Sequence, residues 1–305
     1  MKTINIGNSG ISASEIALGC MMINVISYDK AVILIQKSLE NGIDFFDHAD
    51  VYAGGQAEDI FGRILKSESI ARDKIYIQTK CGIRDGYFDF SKDHILKAVD
   101  GSLKRLQTEY VDVLLLHRPD ALMEPEEVAE AFSILHASGK VRHFGVSNQR
   151  PMQIELLKKY LEQPIIANQL QLSIAHAHMI GSGFYVNMEN DSAIERDGSI
   201  LDYCRLHDIT VHAWSPFQHG FFAGLFLENA KFATLNNKLQ EIADAHQATK
   251  TAVAIAWILR HPAKIQTIVG TMNVYHLNDI CAASGLVLTK MEWYDIFKAA
   301  GNMLP

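Results

Sequence analysis

NGIDFFDHADVY, residues 41–52, changes character within a few letters. Gly42 follows a run of helical periodicity, where a glycine can stop a helix in a left-handed conformation. Phe45 and Phe46 then open a short buried strand at 45–47. Asp47, His48, Asp50 and Tyr52 follow within six positions. Helix, stop, buried strand and a reactive loop make one unit of an alternating fold.

The unit recurs. Short runs rich in Ile and Val predict strands at 15–18, 45–47, 75–79, 111–116, 141–146, 165–169, 210–214 and 267–269. Helical periodicity fills the gaps, at 29–41, 57–66, 92–107, 125–138, 151–161, 197–207, 235–247, 252–261 and 273–283. Ser91 is placed to cap the run that follows it, and Gly139 to stop another. Strand, helix, strand at this spacing implies parallel strands covered by helices. Eight such units in 305 residues fit a closed (β/α)8 TIM barrel, read as a single barrel domain over 1–305. The rival is an open doubly wound sheet, which normally places a glycine-rich loop after its first strand. Here that strand runs into Gly19-Cys20-Met21-Met22, and no GxGxxG occurs. Residues 1–14 read as a hairpin turning at Asn8-Ser9-Gly10, able to plug one barrel end. Longer loops at about 82–90, 176–197 and 218–235 follow strands, so they belong on the face where barrels carry active sites.

The bulk properties exclude several classes. A formal net charge of -7 with no long basic run argues against a nucleic-acid surface. No window approaches the apolar length of a spanning helix, so no membrane role is expected. Cys20, Cys81, Cys204 and Cys281 lie far apart with no CxxC pair, against a disulfide framework or structural zinc. A reducing, cytoplasmic setting is the simplest expectation.

In a barrel the C-terminal strand ends converge on one mouth. They carry Asp47 with Tyr52 just beyond, Lys80, His117, Ser147 with Asn148, Asn168 with Gln169, Trp214 with Ser215, and Gly270 with Thr271. Each has a bland reading as a cap, a solvated rim residue or core; co-location carries the functional one. A tyrosine O–H can hand a proton to a carbonyl oxygen. Its reference pKa near 10 is poorly matched to neutral pH, and a nearby ammonium favours the phenolate. Lys80 is that candidate, Asp47 can keep it charged, and His117 can donate to the carbonyl oxygen as charge develops. The set suits hydride addition to an aldehyde or ketone, the hydride coming from a nicotinamide cofactor. Ser147, Asn148 and Gln169 could hold its carboxamide and Trp214 could stack on its ring. Gly270-Thr271 opens a helix whose N-terminus could take a phosphate. Met21, Met22, the 87–90 loop with Phe88, and Phe184-Tyr185 would wall an apolar pocket for a small carbonyl substrate.

Nearly end to end, the chain resembles the aldo-keto reductase superfamily, and within it a bacterial branch of small oxidoreductases. The segments FFDHADVY, IQTKCGI, LLLHRPD, GKVRHFGVSN, ANQLQLS, HAWSPF and IVGT carry the likeness. It implies a barrel binding NAD(P)H without a Rossmann fold and a tetrad of Asp47, Tyr52, Lys80 and His117, with Tyr52 as proton donor. It also implies Ser147, Asn148 and Gln169 at the carboxamide and Trp214 as the stacking aromatic. Asp50 is then structural, and His48 lines the substrate pocket or supports it. The departure is at the adenosine end. Many NADPH-using relatives have an arginine after the eighth strand, where this chain has His276, and a cation in the loop after the seventh, where it has Gln218-His219-Gly220. The branch favours NADPH over NADH; a neutral imidazole is the poorer phosphate partner. Asn278 and Asp279 could contact adenosine.

Two other functions compete. One is a metal-dependent barrel hydrolase built on Asp47, His117 and His143, although clustered zinc-type ligands are lacking and no metal is expected. The other is a non-catalytic nicotinamide-binding redox sensor, like channel-associated barrels. Oligomeric state has no signal in the letters.

Overall fold

A computed structural model describes residues 1–305. The chain opens with an antiparallel hairpin, β1 (Thr3–Asn5) and β2 (Ser12–Ser14), as the Asn8-Ser9-Gly10 reading expects. Gly7 has φ +52°, and a Cβ there would sit 2.7 Å from the Ile166 carbonyl oxygen, so the turn presses against the barrel base. Eight parallel strands follow: β3 (Ile16–Gly19), β4 (Phe45–Asp47), β5 (Tyr76–Cys81), β6 (Val111–Leu116), β7 (Val141–Ser147), β8 (Ile165–Gln171), β9 (Thr210–Trp214) and β10 (Gln266–Val269). They close in sequence order, β10 pairing with β3, which makes the (β/α)8 TIM barrel.

Two apolar layers result. Ile6, Ile11 and Ala13 of the hairpin region share an inner cluster with Ala17, Phe45, Val113, Leu115 and Ile268, so the hairpin plugs the base with apolar side chains. A larger cluster lies between the barrel and its helices. The helix Lys92–Leu106 shows why: Ser91 caps it by accepting from the His94 N–H, and Ile95, Val99, Leu103 and Leu106 form one buried stripe.

The C-terminal helix Lys290–Ala299 goes beyond the helices read from periodicity. Its signature is local: Thr289 and Glu292 form a capping box. Trp293 stacks on Trp257 at 4.8 Å, and each indole N–H donates to the other's backbone carbonyl at 3.0 Å. No helix is long and apolar enough to cross a membrane.

Candidate active site

Three strand ends bring Asp47, Lys80 and His117 together, and the loop after β4 returns Tyr52 to them. Alternate residues of a strand face one side, so Gln78 and Lys80 of β5 both point into the barrel toward Asp47. The Lys80 ammonium, fully buried, donates to Asp47 Oδ2 at 2.9 Å, to the His48 carbonyl oxygen at 2.7 Å and to the Tyr52 hydroxyl at 2.9 Å. Those three acceptors use all three of its N–H groups. Asp47 Oδ1 accepts from Gln78 Nε2 at 2.6 Å and Gln169 Nε2 at 3.1 Å. The carboxylate is thus held from both sides. Because the Tyr52 oxygen accepts from Lys80, its own proton is uncommitted within the protein.

The Tyr52 loop is built under strain. Ala53, Gly54 and Gly55 have φ values of 50°, 63° and 92°, three left-handed residues in succession. Ala53 lacks glycine's freedom there and needs surrounding contacts to hold it. The helix that follows the loop, Gln56–Ser67, is anchored at its start by the fully buried Glu58. Glu58 accepts from Thr79 Oγ1 at 2.5 Å and Arg105 Nε at 2.8 Å, and a Cβ on Gly55 would lie 2.8 Å from Arg105 Cδ. Glu58 therefore ties the loop carrying Tyr52 to the strand carrying Lys80.

Electrostatics divide the four groups. Burial pushes the Tyr52 hydroxyl above its ordinary value of 10; the Lys80 ammonium opposes this and Asp47 reinforces it. Lys80 does pull the phenol down, as expected from the letters, but desolvation outweighs the ammonium and the net shift is upward. Lys80 loses by burial but gains more from Asp47 and Tyr52, so it too stands above its ordinary value. Burial, with Lys80 and Arg118 nearby, holds His117 well below its usual range, so the imidazole is neutral. Its ring meets Tyr52 edge to face at 5.7 Å, and its Nδ1 is buried without a partner.

The expected cofactor residues form a chain of contacts along the adjoining rim. Ser147 Oγ donates to the Gln169 carbonyl at 3.1 Å and accepts from Asn148 Nδ2 at 2.7 Å; Asn148 Oδ1 accepts from Trp214 Nε1 at 3.3 Å. Asn148 and Ser215 adopt φ of 55° and 51°, each turning the chain sharply at a strand end. Asn168 instead bonds the Gln149 carbonyl at 2.9 Å and holds its loop. Gly270 is exposed with open space beside it, and Thr271 and Asn273 cap the turn into the helix Val274–Ala282. Asp279 is half-buried and His276 exposed, while Asn278 accepts from Asn41 Nδ2 at 2.9 Å.

The pocket walls are distributed differently from the expectation. Met22, Tyr87 and Phe88 are exposed and Met21 half-buried, but Phe90 is core beneath Gly82. Phe184 packs on Phe297 at 5.3 Å and Tyr185 donates to the Met303 carbonyl at 2.6 Å, so both serve the C-terminal segment. His48 is fully buried with its ring 4.5 Å from that of Phe61, the packing expected of a residue that supports the strand end and not of one exposed in a pocket wall. His143 neighbours Asp112 and His136 instead of Asp47 and His117, and the chain has no group of three His, Cys, Asp or Glu able to hold a metal ion. Gln78, Glu58, Arg105 and Arg118 were not singled out in the letters. Gln78 was accessible, since it shares the strand face of Lys80.

The aldo/keto reductase family model matches residues 15–300. The chain belongs to the aldo/keto reductase family. Members generally bind nicotinamide cofactors and act on small carbonyl compounds. The chain is 36% identical over 300 residues to the uncharacterized oxidoreductase YcsN of Bacillus subtilis, covering 94% of each. It is 35% identical to a 6-dehydroglucose reductase of Agrobacterium fabrum, covering 87% of this chain and 86% of the other. A solved structure of the thermostable aldo-keto reductase Tm1743, in complex with the inhibitor epalrestat, superposes with TM-score 0.80 at 26% identity. That match covers 98% of this chain and 100% of the other. As an aldo/keto reductase the chain is an oxidoreductase, and its polar cluster lies at the C-terminal strand ends of the barrel.

Proposed function

We propose that this chain reduces an aldehyde or ketone to the alcohol, using NAD(P)H, with Tyr52 as proton donor. One observation carries the reading: the Tyr52 hydroxyl accepts from Lys80 at 2.9 Å and keeps its own proton free beside His117. The nicotinamide, when bound, supplies the hydride. Tyr52 and neutral His117 both point hydrogen-bond donors at the carbonyl oxygen. As negative charge builds there, Tyr52 transfers its proton, and the buried Lys80 ammonium stabilises the phenolate left behind. Asp47, held by Gln78 and Gln169, keeps Lys80 charged.

The rim suits the cofactor. Ser147 and Asn148 offer polar atoms for a carboxamide, Gln169 keeps its amide oxygen while its nitrogen serves Asp47, and Trp214 and Ser215 line the ring site. The open space at Gly270 and the start of a helix after Thr271 fit a phosphate. Family membership favours NADPH. His276 is the one side chain in residues 270–282 able to carry positive charge toward a 2′-phosphate, and Asp279 stands nearby in the chain. The free thiols of Cys20, Cys81, Cys204 and Cys281 fit a reducing cytoplasmic setting.

Titration with NADPH and NADH by protein fluorescence, followed by a panel of aldehydes and ketones with the tighter binder, tests the proposal. Cofactor oxidation that tracks alcohol formation is expected. Tight cofactor binding without turnover of any carbonyl would instead favour a redox-sensing protein.

A further inference from the structure

Arg118 directly follows His117 at the end of β6 and lies outside the tetrad. It is half-buried, yet its guanidinium makes no ion pair or hydrogen bond with the protein, although five N–H donors are available. Arg72, Arg105 and Arg142 by contrast are each paired with a carboxylate. The guanidinium carbon sits 5.6 Å from the centre of the Trp214 ring and 5.3 Å from that of Phe221, within cation–π range of both. It lines a cavity with Asn148, Arg150, His176, Trp214 and Phe221. The one acid on that wall, Asp197, is 3.6 Å from His178. Arg118 is also close enough to Tyr52 and His117 to act on both electrostatically. A cation with free donors, beside the proton donor and facing a cavity, lacks one thing: an anionic oxygen.

We infer that Arg118 is a specificity residue whose guanidinium binds an anionic group on the carbonyl substrate, so that the preferred substrates are oxo acids. This rests on the carbonyl reduction proposed above and narrows its substrate class. A carboxylate would meet the planar fork in bidentate fashion while the carbonyl oxygen lies at Tyr52 and His117.

The test compares 4-oxobutanoate, 5-oxopentanoate and 4-formylbenzoate with pentanal, hexanal and 4-methylbenzaldehyde, in wild type, Arg118→Met and Arg118→Lys. Wild type should favour at least one anionic member over its neutral match by roughly tenfold or more in kcat/KM. Arg118→Met should abolish that preference, the anionic member losing about tenfold more kcat/KM than its neutral match whatever the two lose in common, and Arg118→Lys should restore part of it. Equal use of charged and neutral aldehydes by wild type, or an equal loss on both in Arg118→Met, would overturn the assignment. A parallel readout needs no turnover: calorimetric binding of 4-(hydroxymethyl)benzoate to the cofactor-loaded protein should weaken roughly tenfold in Arg118→Met. Reduction of neither class with that binding difference intact would refute the reductase reading alone. No binding difference would refute the anion site.

Discussion

The Lys80 ammonium stands 2.9 Å from the Tyr52 hydroxyl and is itself wholly enclosed. The pair works because Asp47, at 2.9 Å on the other side, keeps the buried lysine charged. Without the carboxylate an enclosed ammonium would shed its proton; without the ammonium the carboxylate would be a bare buried charge.

Breaking the pair from one side should therefore cost stability as well as rate. Lys80→Met leaves Asp47 facing only Gln78 and Gln169, with an expected loss of roughly 3 kcal/mol. Asp47→Asn/Lys80→Met should be less destabilised than the sum of the two single variants. Urea unfolding of all four proteins checks this; strict additivity would contradict coupling.

The pH dependence should be asymmetric between reaction directions. Tyr52 and Lys80 both titrate above their ordinary values of 10.0 and 10.5. Reduction uses protonated Tyr52, so kcat/KM for a carbonyl should stay flat through neutral pH up to about pH 9. Alcohol oxidation needs the phenolate and should climb with pH, by up to about tenfold per unit. An oxidation limb that levels off near neutrality would show that another group supplies the proton.

Asp50 is raised from 3.8 to about 6, first by burial and then by Glu58. Its folded value lies above its unfolded one, so its contribution is full below about pH 4 and lost as pH rises through 6. At neutral pH the ionised group costs on the order of 3 kcal/mol. Asp50→Asn should be more stable than wild type at pH 7 and no more stable at pH 4, as read by thermal melts at both.

The imidazole nitrogens of His48 and His212 are enclosed without hydrogen-bond partners, and both rings are lowered from 6.5 to about 3. Burial is the main cause and Lys80 the second. Here the sign reverses: stability is complete above pH 6.5 and drains as pH falls toward 3. Each contributes a slope of about 1.4 kcal/mol per pH unit, against which the Asp50 term works between pH 6 and 4. His212→Asn should flatten the dependence of unfolding free energy on pH between 6.5 and 4.5 by about that slope. An unchanged slope would place the titration elsewhere.

The letters disclosed the barrel because each strand is short, apolar and followed by a helix of clear period. They also pointed to Asp47, Tyr52, Lys80 and His117 as neighbours, and the four do come together, because strand ends in a barrel converge. They could not weigh burial against charge, which is why Tyr52 was expected below 10 and stands above it. They could not show that His48 turns toward Phe61 while Asp47 turns inward, since facing depends on where the strand stops and the loop begins. The link from Glu58 to Thr79 and Arg105 spans three elements and has no local motif. The last helix did have one, the Thr289-to-Glu292 capping box, and its stacked Trp257 and Trp293 lie far apart in sequence.

The central claim is that Tyr52 delivers the proton, and Tyr52→Phe tests it most directly. Cofactor affinity, read by fluorescence titration, should stay within about twofold of wild type. Single-turnover carbonyl reduction in the loaded variant should fall by about 10²- to 10⁴-fold. Reduction at the wild-type rate by the folded, cofactor-loaded variant would contradict the account.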